Sequence, residues 1–350
     1  MKVGIVTFTY GDNYGQRLQN LAVQEAIHQY SDEVYTLRQV PNKKPFKRKI
    51  KDSLKAILQD DLSAIHERHR AFEDFDHKYI TYYDQPISEH NKYLFPQDEF
   101  DFFVAGSDQI WSPFSPDVNS TMFLTFADKK KRIALSPSIA AENIPANQVD
   151  KYRDYFNGFA HLSVREERGA ELIRDICGRG AEVLIDPTLI HDENFWGKYV
   201  KEPKQKPHGR YACCYFLGEP NEGAKIEEIC RKHHLERIDM MKQNKYRVMG
   251  PGEFLYMIQC ASVVITDSYH GCIFSTIFHV PFIMCERQGT KLDMNSRFAT
   301  LFNKLNINDR SLQDMTINNV LNMEYSLIDK RIGSEREKLK SYLDGILVDN

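Results

Sequence analysis

The chain is short of the residues that make covalent or metal-held frameworks. Its 350 residues include 7 cysteines, an odd set with none before Cys177 and no C-x-x-C pair. Neither a disulfide scaffold nor a zinc site is indicated, and no metal is expected. Charge of one sign is also missing: 46 Lys and Arg against 49 Asp and Glu leave a net charge of −3. Non-specific binding to phosphate backbones needs a strongly basic face, so a nucleic-acid partner is not expected. Long apolar runs are absent as well. The stretch Val3–Phe8 after Met1 is too short and too weakly flanked for a secretory signal, and nothing approaches the length of a membrane span. A cytoplasmic protein is expected. There is no internal repeat, no low-complexity segment and no G-x-G-x-x-G loop: GDNYGQ has Gly11 and Gly15 at another spacing, with Asn13 and Tyr14 where a pyrophosphate would be crowded.

What is present is an alternation of two periods. KVGIVTFTY reads as a buried strand, GDNYG as a loop, and QRLQNLAVQEAIHQY as a helix with Leu18, Leu21, Ala22, Ala26 and Ile27 on one face. Further strands are expected at EVYTL, DFFVAG, KRIALSPS, HLSVRE and AEVLIDP. A polar, proline-bearing stretch from Lys198 to Gly209 reads as a linker, after which RYACCYFL, LERIDM, SVVITD and VPFIMC alternate with helical segments. The pattern predicts an α/β protein of two Rossmann-like, doubly wound domains facing a cleft: residues 1–200, with a basic helical insertion at about 43–80, and residues 205–330. A C-terminal helix, 331–350, is expected to pack back across the junction. Ligands of such folds bind beyond the carboxyl ends of the strands.

Candidate site residues follow from that rule. In VVITDSYHG an apolar strand stops at Asp267, and Ser268, Tyr269, His270 and Gly271 follow, placing an imidazole beside the free N–H groups of an opening helix. His270 is either an acid-base group with Asp267 behind it or a capping histidine. In FDFFVAGSDQIWSP, Ser107, Asp108 and Gln109 offer polar groups at a strand end and Trp111 a flat wall for a sugar; the competing reading is a helix cap with Trp111 in the core. Asn13 and Tyr14 either meet a ligand or sit in a glycine turn. Arg165, directly after a strand, can fork onto a carboxylate or phosphate, or pair at the surface with Glu166 or Glu167. Arg297 invites the same two readings, and Arg287 is a weaker candidate. The basic segment 43–58, with Lys43, Lys44, Lys47, Arg48, Lys49, Lys51 and Lys55, is either an amphipathic helix on anionic lipid at the inner membrane face or a solvated surface.

Taken in order, KVGIVTFTYGDNYGQRLQNLAVQEAI, DFFVAGSDQIWSP, LSVREERGAELI, VLIDPTLI, PGEFLYMIQCASVVITDSYHG and FSTIFHVPFI resemble the polysaccharide pyruvyl transferase family from Lys2 to about Asp309. The resemblance implies a fold similar to B-type glycosyltransferases. It also implies transfer of a pyruvyl group from phosphoenolpyruvate, a co-substrate rather than a cofactor, to two hydroxyls of a sugar as a cyclic ketal. It puts the family histidine at His270 and the family arginine of the R-E motif at Arg165. One departure stands out: several members carry arginine two residues before the histidine, where this chain has Ser268. On this reading Arg165, Arg297, Ser268 and Gly271 hold the donor, and Asn13, Tyr14, Ser107, Asp108, Gln109 and Trp111 meet the saccharide acceptor, which is free or lipid-linked. Two other functions fit the same fold. One is a nucleotide-sugar glycosyltransferase, with Glu253 on the ribose; the other is a non-catalytic saccharide-binding homologue.

Overall fold

The computed structural model describes residues 1–40, 62–218, 223–242, 244–287, 295–313 and 315–348. The basic segment 43–58 therefore lies outside the described residues.

The N-terminal strands are short and apolar: β1 (Lys2–Val6), β2 (Glu33–Thr36), β3 (Phe102–Ala105), β4 (Arg132–Ala134), β5 (Ser163–Val164) and β6 (Glu182–Val183). Four of them form a parallel sheet in the order β2-β1-β3-β4, and β5 and β6 pair alongside. A bridge between Ile133 and His161 joins the two pieces. The C-terminal strands β7 (Tyr211–Tyr215), β8 (Glu236–Asp239), β9 (Val263–Thr266) and β10 (Phe282–Met284) form a second parallel sheet, ordered β10-β9-β7-β8. Runs such as Val263–Thr266 are buried along their whole length, as strands covered on both faces must be.

The helices that matter for the site are α1 (Tyr14–Ile27), α2 (Leu62–Tyr79), α3 (Glu167–Cys177), α4 (Pro251–Gln259), α5 (Tyr269–Ile277), α6 (Asn295–Leu305) and α7 (Ser326–Leu347). The helix α7 starts five residues before the expected boundary, and it returns to the N-terminal lobe. Arg336 on it donates to the carbonyls of Leu189 and His191 at 2.6 and 2.9 Å, and the Tyr342 hydroxyl to that of Ala134 at 2.8 Å.

Apolar packing continues from one sheet to the other. A single cluster holds Val3, Ile5, Leu18 and Leu21 together with Tyr211, Ile238, Phe254, Phe274 and Leu339, while each lobe keeps a further core on its outer face. A shared apolar interface of this kind holds two lobes in one arrangement, where a small polar one leaves them free to move. The carboxyl ends of both sets of strands are thereby fixed against each other.

Candidate active site

The N-terminal lobe contributes Arg165, the residue after β5, fully buried. Its Nη1 donates to Asp186 Oδ2 at 2.5 Å, its Nη2 stands 3.9 Å from Asp108, and among the described residues neither Nε nor Nη2 has a hydrogen-bond acceptor. The surface pairing with Glu166 or Glu167 does not form. Asp186 is buried completely and takes four donors, the others being Ser107 Oγ at 3.2 Å, Thr188 N at 3.0 Å and Thr188 Oγ1 at 2.7 Å. Burial alone would raise its pKa; the charges of His270 and Arg165 and the Thr188 hydroxyl outweigh this and hold the carboxyl well below its usual range. Burial likewise works against the Arg165 cation, and Asp186, Tyr269 and Asp108 more than compensate.

The C-terminal lobe contributes His270 from the first turn of α5. Ser268 caps that helix, its Oγ accepting from Gly271 N at 3.3 Å. Thr266 Oγ1 crosses under the turn so closely that a Cβ on Gly271 would lie 2.7 Å from it, which explains the glycine. The imidazole then points across the junction. Its Nε2 lies 3.6 Å from Asp186 Oδ2, and its Nδ1 would be 2.1 Å from a Cβ on Gly15, at the start of α1. Gly15 is thus required by a close approach between lobes.

A second guanidinium joins from α6. Arg297 is 3% exposed and stands 5.6 Å from the Tyr269 ring, which Arg165 covers at 4.4 Å. The Gln109 amide, oriented with its oxygen toward the cation, accepts from Arg297 Nη1 and Nη2 at 3.1 and 3.0 Å. Burial, then the like charge of Arg165, lower the Arg297 pKa to about 10. Two buried cations that repel each other beside one aromatic ring are stabilised by an anion placed near both.

Not every sequence candidate lies there. Asp267 accepts from Leu217 N, Gly218 N and Arg287 Nε at 2.7, 2.8 and 2.8 Å. It braces the turn after β7, with Arg287 as its partner, and the carboxylate beside His270 is Asp186 instead. Trp111 is fully buried, stacked on Phe123 at 5.4 Å with its Nε1 on the Met122 carbonyl, so it is core and no wall. Tyr14 is also fully buried. It stacks on Phe254 at 4.4 Å, donates to the Met249 carbonyl at 3.0 Å and accepts from Arg68 at 2.6 Å, so it stitches the lobes together. Asn13 caps α1 through Gln16 N. Ser107 supports Asp186, and Ser268 is occupied as a cap. Glu253 Oε2 accepts from the Gly250 amide at 3.1 Å at the start of α4, and Glu253 pairs with Lys201 at 2.7 Å.

The sequence reading missed Asp186 and Tyr269 as site residues. The first had a signal: an acid ending an apolar strand and followed by proline, in VLIDP. The second lay inside the histidine motif and had none, because a buried tyrosine reads as core until two arginines are found against it.

The sequence profile of polysaccharide pyruvyl transferases matches residues 13–289, most of the chain. The chain belongs to the polysaccharide pyruvyl transferase family. As a member of that family it is a transferase, and both His270 and Arg165 fall inside the matched region. Across solved structures it is similar to one from Listeria monocytogenes described as a UDP-N-acetylglucosamine 2-epimerase: 10% identity, TM-score 0.52, covering 100% of this chain and 94% of that one. Others include the Neisseria meningitidis UDP-GlcNAc 2-epimerase bound to UDP-GlcNAc (11% identity, TM-score 0.47, 97% and 99% coverage) and the E. coli ADP-heptose lipopolysaccharide heptosyltransferase II (8%, 0.37, 96% and 99%). At such identities the likeness is one of fold, here the paired α/β fold of the B-type glycosyltransferases. No curated protein matches. Among the described residues, no group of three or more His, Cys, Asp or Glu side chains could hold a metal ion, and no helix is long and apolar enough to cross a membrane.

Proposed function

We propose that this pyruvyl transferase takes its pyruvyl group from phosphoenolpyruvate and installs it as a cyclic ketal on a pair of sugar hydroxyls. One observation carries the reading: Arg165 and Arg297, one from each lobe, lie against the same buried tyrosine beside His270, and two Arg165 donors have no acceptor among the described residues. Phosphoenolpyruvate presents a carboxylate and a phosphate on a three-carbon frame, which suits two guanidiniums in one small space. Arg297 takes the place of the arginine that family members carry where this chain has Ser268. The helix start at His270 and Gly271 adds a favourable end of the helix dipole to the phosphate.

His270 gives a proton to the methylene carbon, C2 becomes electrophilic, and a hydroxyl attacks it; Asp186 holds the imidazole and Arg165 in register for that step. The acceptor is a polysaccharide or its lipid-linked precursor, the latter consistent with a basic segment at 43–58 that would touch the inner membrane face, in a cytoplasmic protein. No observation in the site favours a nucleotide-sugar donor, since Glu253, the candidate for its ribose, is committed to a helix cap.

The test is release of inorganic phosphate from phosphoenolpyruvate in the presence of a saccharide acceptor, with the ketal detected by mass spectrometry. His270→Ala is expected to lower turnover at least about a hundredfold. Release of nucleoside diphosphate from a nucleotide sugar instead, or near-normal turnover by His270→Ala, refutes the reading. Failure of phosphoenolpyruvate to raise the melting temperature, with saccharide binding intact, points to a non-catalytic homologue.

A further inference from the structure

Ketal formation moves more protons than one imidazole handles in a single step. Two acceptor oxygens become bonded to C2 of phosphoenolpyruvate, C3 gains one proton, and the C2–O bond to phosphate breaks with its electron pair on the leaving oxygen. Each hydroxyl loses a proton; in the sum, one matches the proton gained by carbon and the other leaves with inorganic phosphate. While His270 donates to C3, the first hydroxyl needs a separate acceptor.

Among the described residues Asp186, Glu166, Asp267 and Asp108 follow strands β6, β5, β9 and β3, and the first three are buried in contacts of their own. Asp186 takes four donors and is held well below the usual carboxylate range, which makes it a poor base. Glu166 receives Ser138 Oγ, Ile139 N and Ala140 N on Oε1 at 3.0, 2.7 and 3.0 Å; its Oε2 has no hydrogen-bond partner among the described residues, but at 1% exposure the side chain is closed to an acceptor. Asp267 is tied to Arg287 and two backbone amides. Asp108 differs: its carboxylate stands 3.9 Å from Arg165 Nη2, beyond hydrogen-bond range, also feels the charge of Arg297, and its side chain is 12% exposed.

The backbone fixes where Asp108 points. Its φ of +76° lies in the left-handed region, and the Ser138 amide donates to its carbonyl at 2.8 Å. Aspartate is among the few residues other than glycine that adopt this conformation readily. Asp108 and His270 stand at opposite ends of the Arg165–Asp186 pair, with 3.9 Å at one end and 3.6 Å at the other.

We propose that Asp108 is the base that accepts the proton of the first attacking hydroxyl, a role that rests on the pyruvyl-transfer reading. In the first half-reaction the imidazolium of His270 protonates C3, the hydroxyl bonds to C2, and Asp108 takes its proton. In the second, the phosphate leaves with the Asp108 proton, the second hydroxyl closes the ring, and His270 takes that proton. Both groups end as they began.

The left-handed φ supplies the test, because glycine adopts it freely and Asp108→Gly keeps the backbone while removing the carboxylate. Turnover of Asp108→Gly is expected to fall about a hundredfold to ten-thousandfold. The KM for phosphoenolpyruvate stays within about threefold, and added formate restores turnover saturably. Asp108→Asn, isosteric and tolerant of the same φ, shows the loss without the rescue. Near-wild-type turnover in either variant overturns the proposal, as does a loss in Asp108→Gly that formate does not relieve and that appears as a raised acceptor KM. A wild-type protein that releases no phosphate from phosphoenolpyruvate with acceptor overturns the pyruvyl-transfer reading first, and this role with it.

Discussion

The two crests that meet at the site are built on different principles. In the C-terminal lobe, His234 and Asn306, with φ of 52° and 55°, directly follow helices and His279, at 52°, comes just after a helix cap, where a left-handed residue is the ordinary way to end one; Asp309, at 58°, lies in the loop beyond Asn306. His270 rides on a relaxed, serine-capped helix. In the N-terminal lobe, Leu124, with φ of 55°, also closes a helical turn, but Asp108, Ser136 and Ala140, with φ of 76°, 54° and 49°, sit in the loops that leave β3 and β4. Those loops fold over Arg165, Asp186 and Glu166, whose buried charges need donors brought to them at fixed positions. One lobe delivers a single reactive group cheaply. The other accepts strain to hold a charged network, and strain of that kind collects where function requires it.

The comparison breaks first at Asp186. Asp186→Asn leaves Arg165 buried beside a neutral amide and is expected to cost about 3 to 5 kcal/mol of stability in denaturant titration. Turnover is expected to fall at least about a hundredfold, because the histidine and the arginine lose their shared anchor. The same substitution at Asp267, which only braces a C-terminal turn, is the contrast that closes this series.

The second test separates positioning from stability. Gly15→Ala puts a methyl 2.1 Å from His270 Nδ1, so the imidazole or the helix start must move. Alanine is otherwise the better helix former. We expect a melting temperature within a few degrees of wild type and turnover reduced about a hundredfold, the usual cost of a misplacement near 1 Å.

The third concerns acid. His191 lies on the turn that carries Asp186, stacked on Phe195 at 3.8 Å with Nε2 3.0 Å from the Ala22 carbonyl, and burial pushes its pKa from 6.5 down to about 4. The folded state therefore binds fewer protons than the unfolded one between those values. Its contribution to stability is complete above about pH 6.5 and is lost as pH falls toward 4, by up to about 3 kcal/mol. Melting temperature followed over that range should drop, and His191→Asn should flatten the slope.

The smallest effect is expected at Asp267. Asp267→Asn weakens the contacts to Arg287, Leu217 and Gly218 and should cost about 2 kcal/mol, with turnover within about tenfold of wild type. A collapse of turnover there, with Asp186→Asn mild, would reverse the assignment of the two carboxylates.

Much of this architecture was open to reading in one dimension. Buried strands followed by amphipathic helices showed the paired α/β lobes, and a strand ending in TDSYHG put an imidazole at a helix start, because both depend on local periodicity. The neighbours of those residues were not readable. Asp267 is three residues from His270, yet its carboxylate turns toward Arg287, and the imidazole faces Asp186, 84 positions away in the chain. Trp111 and Tyr14 looked like ligand contacts because they sit in loops; packing put one in the outer core and the other between the lobes.

The amino-acid order determined which segments become strands, where they end, and therefore which residues stand at the crests, since backbone periodicity and capping act over a few residues. Only the tertiary structure decided which crest residues face one another. A buried charge must find its partner wherever the fold brings one, and the closure of two lobes on a common apolar core sets Arg165, Arg297 and His270 around Tyr269 and Asp186.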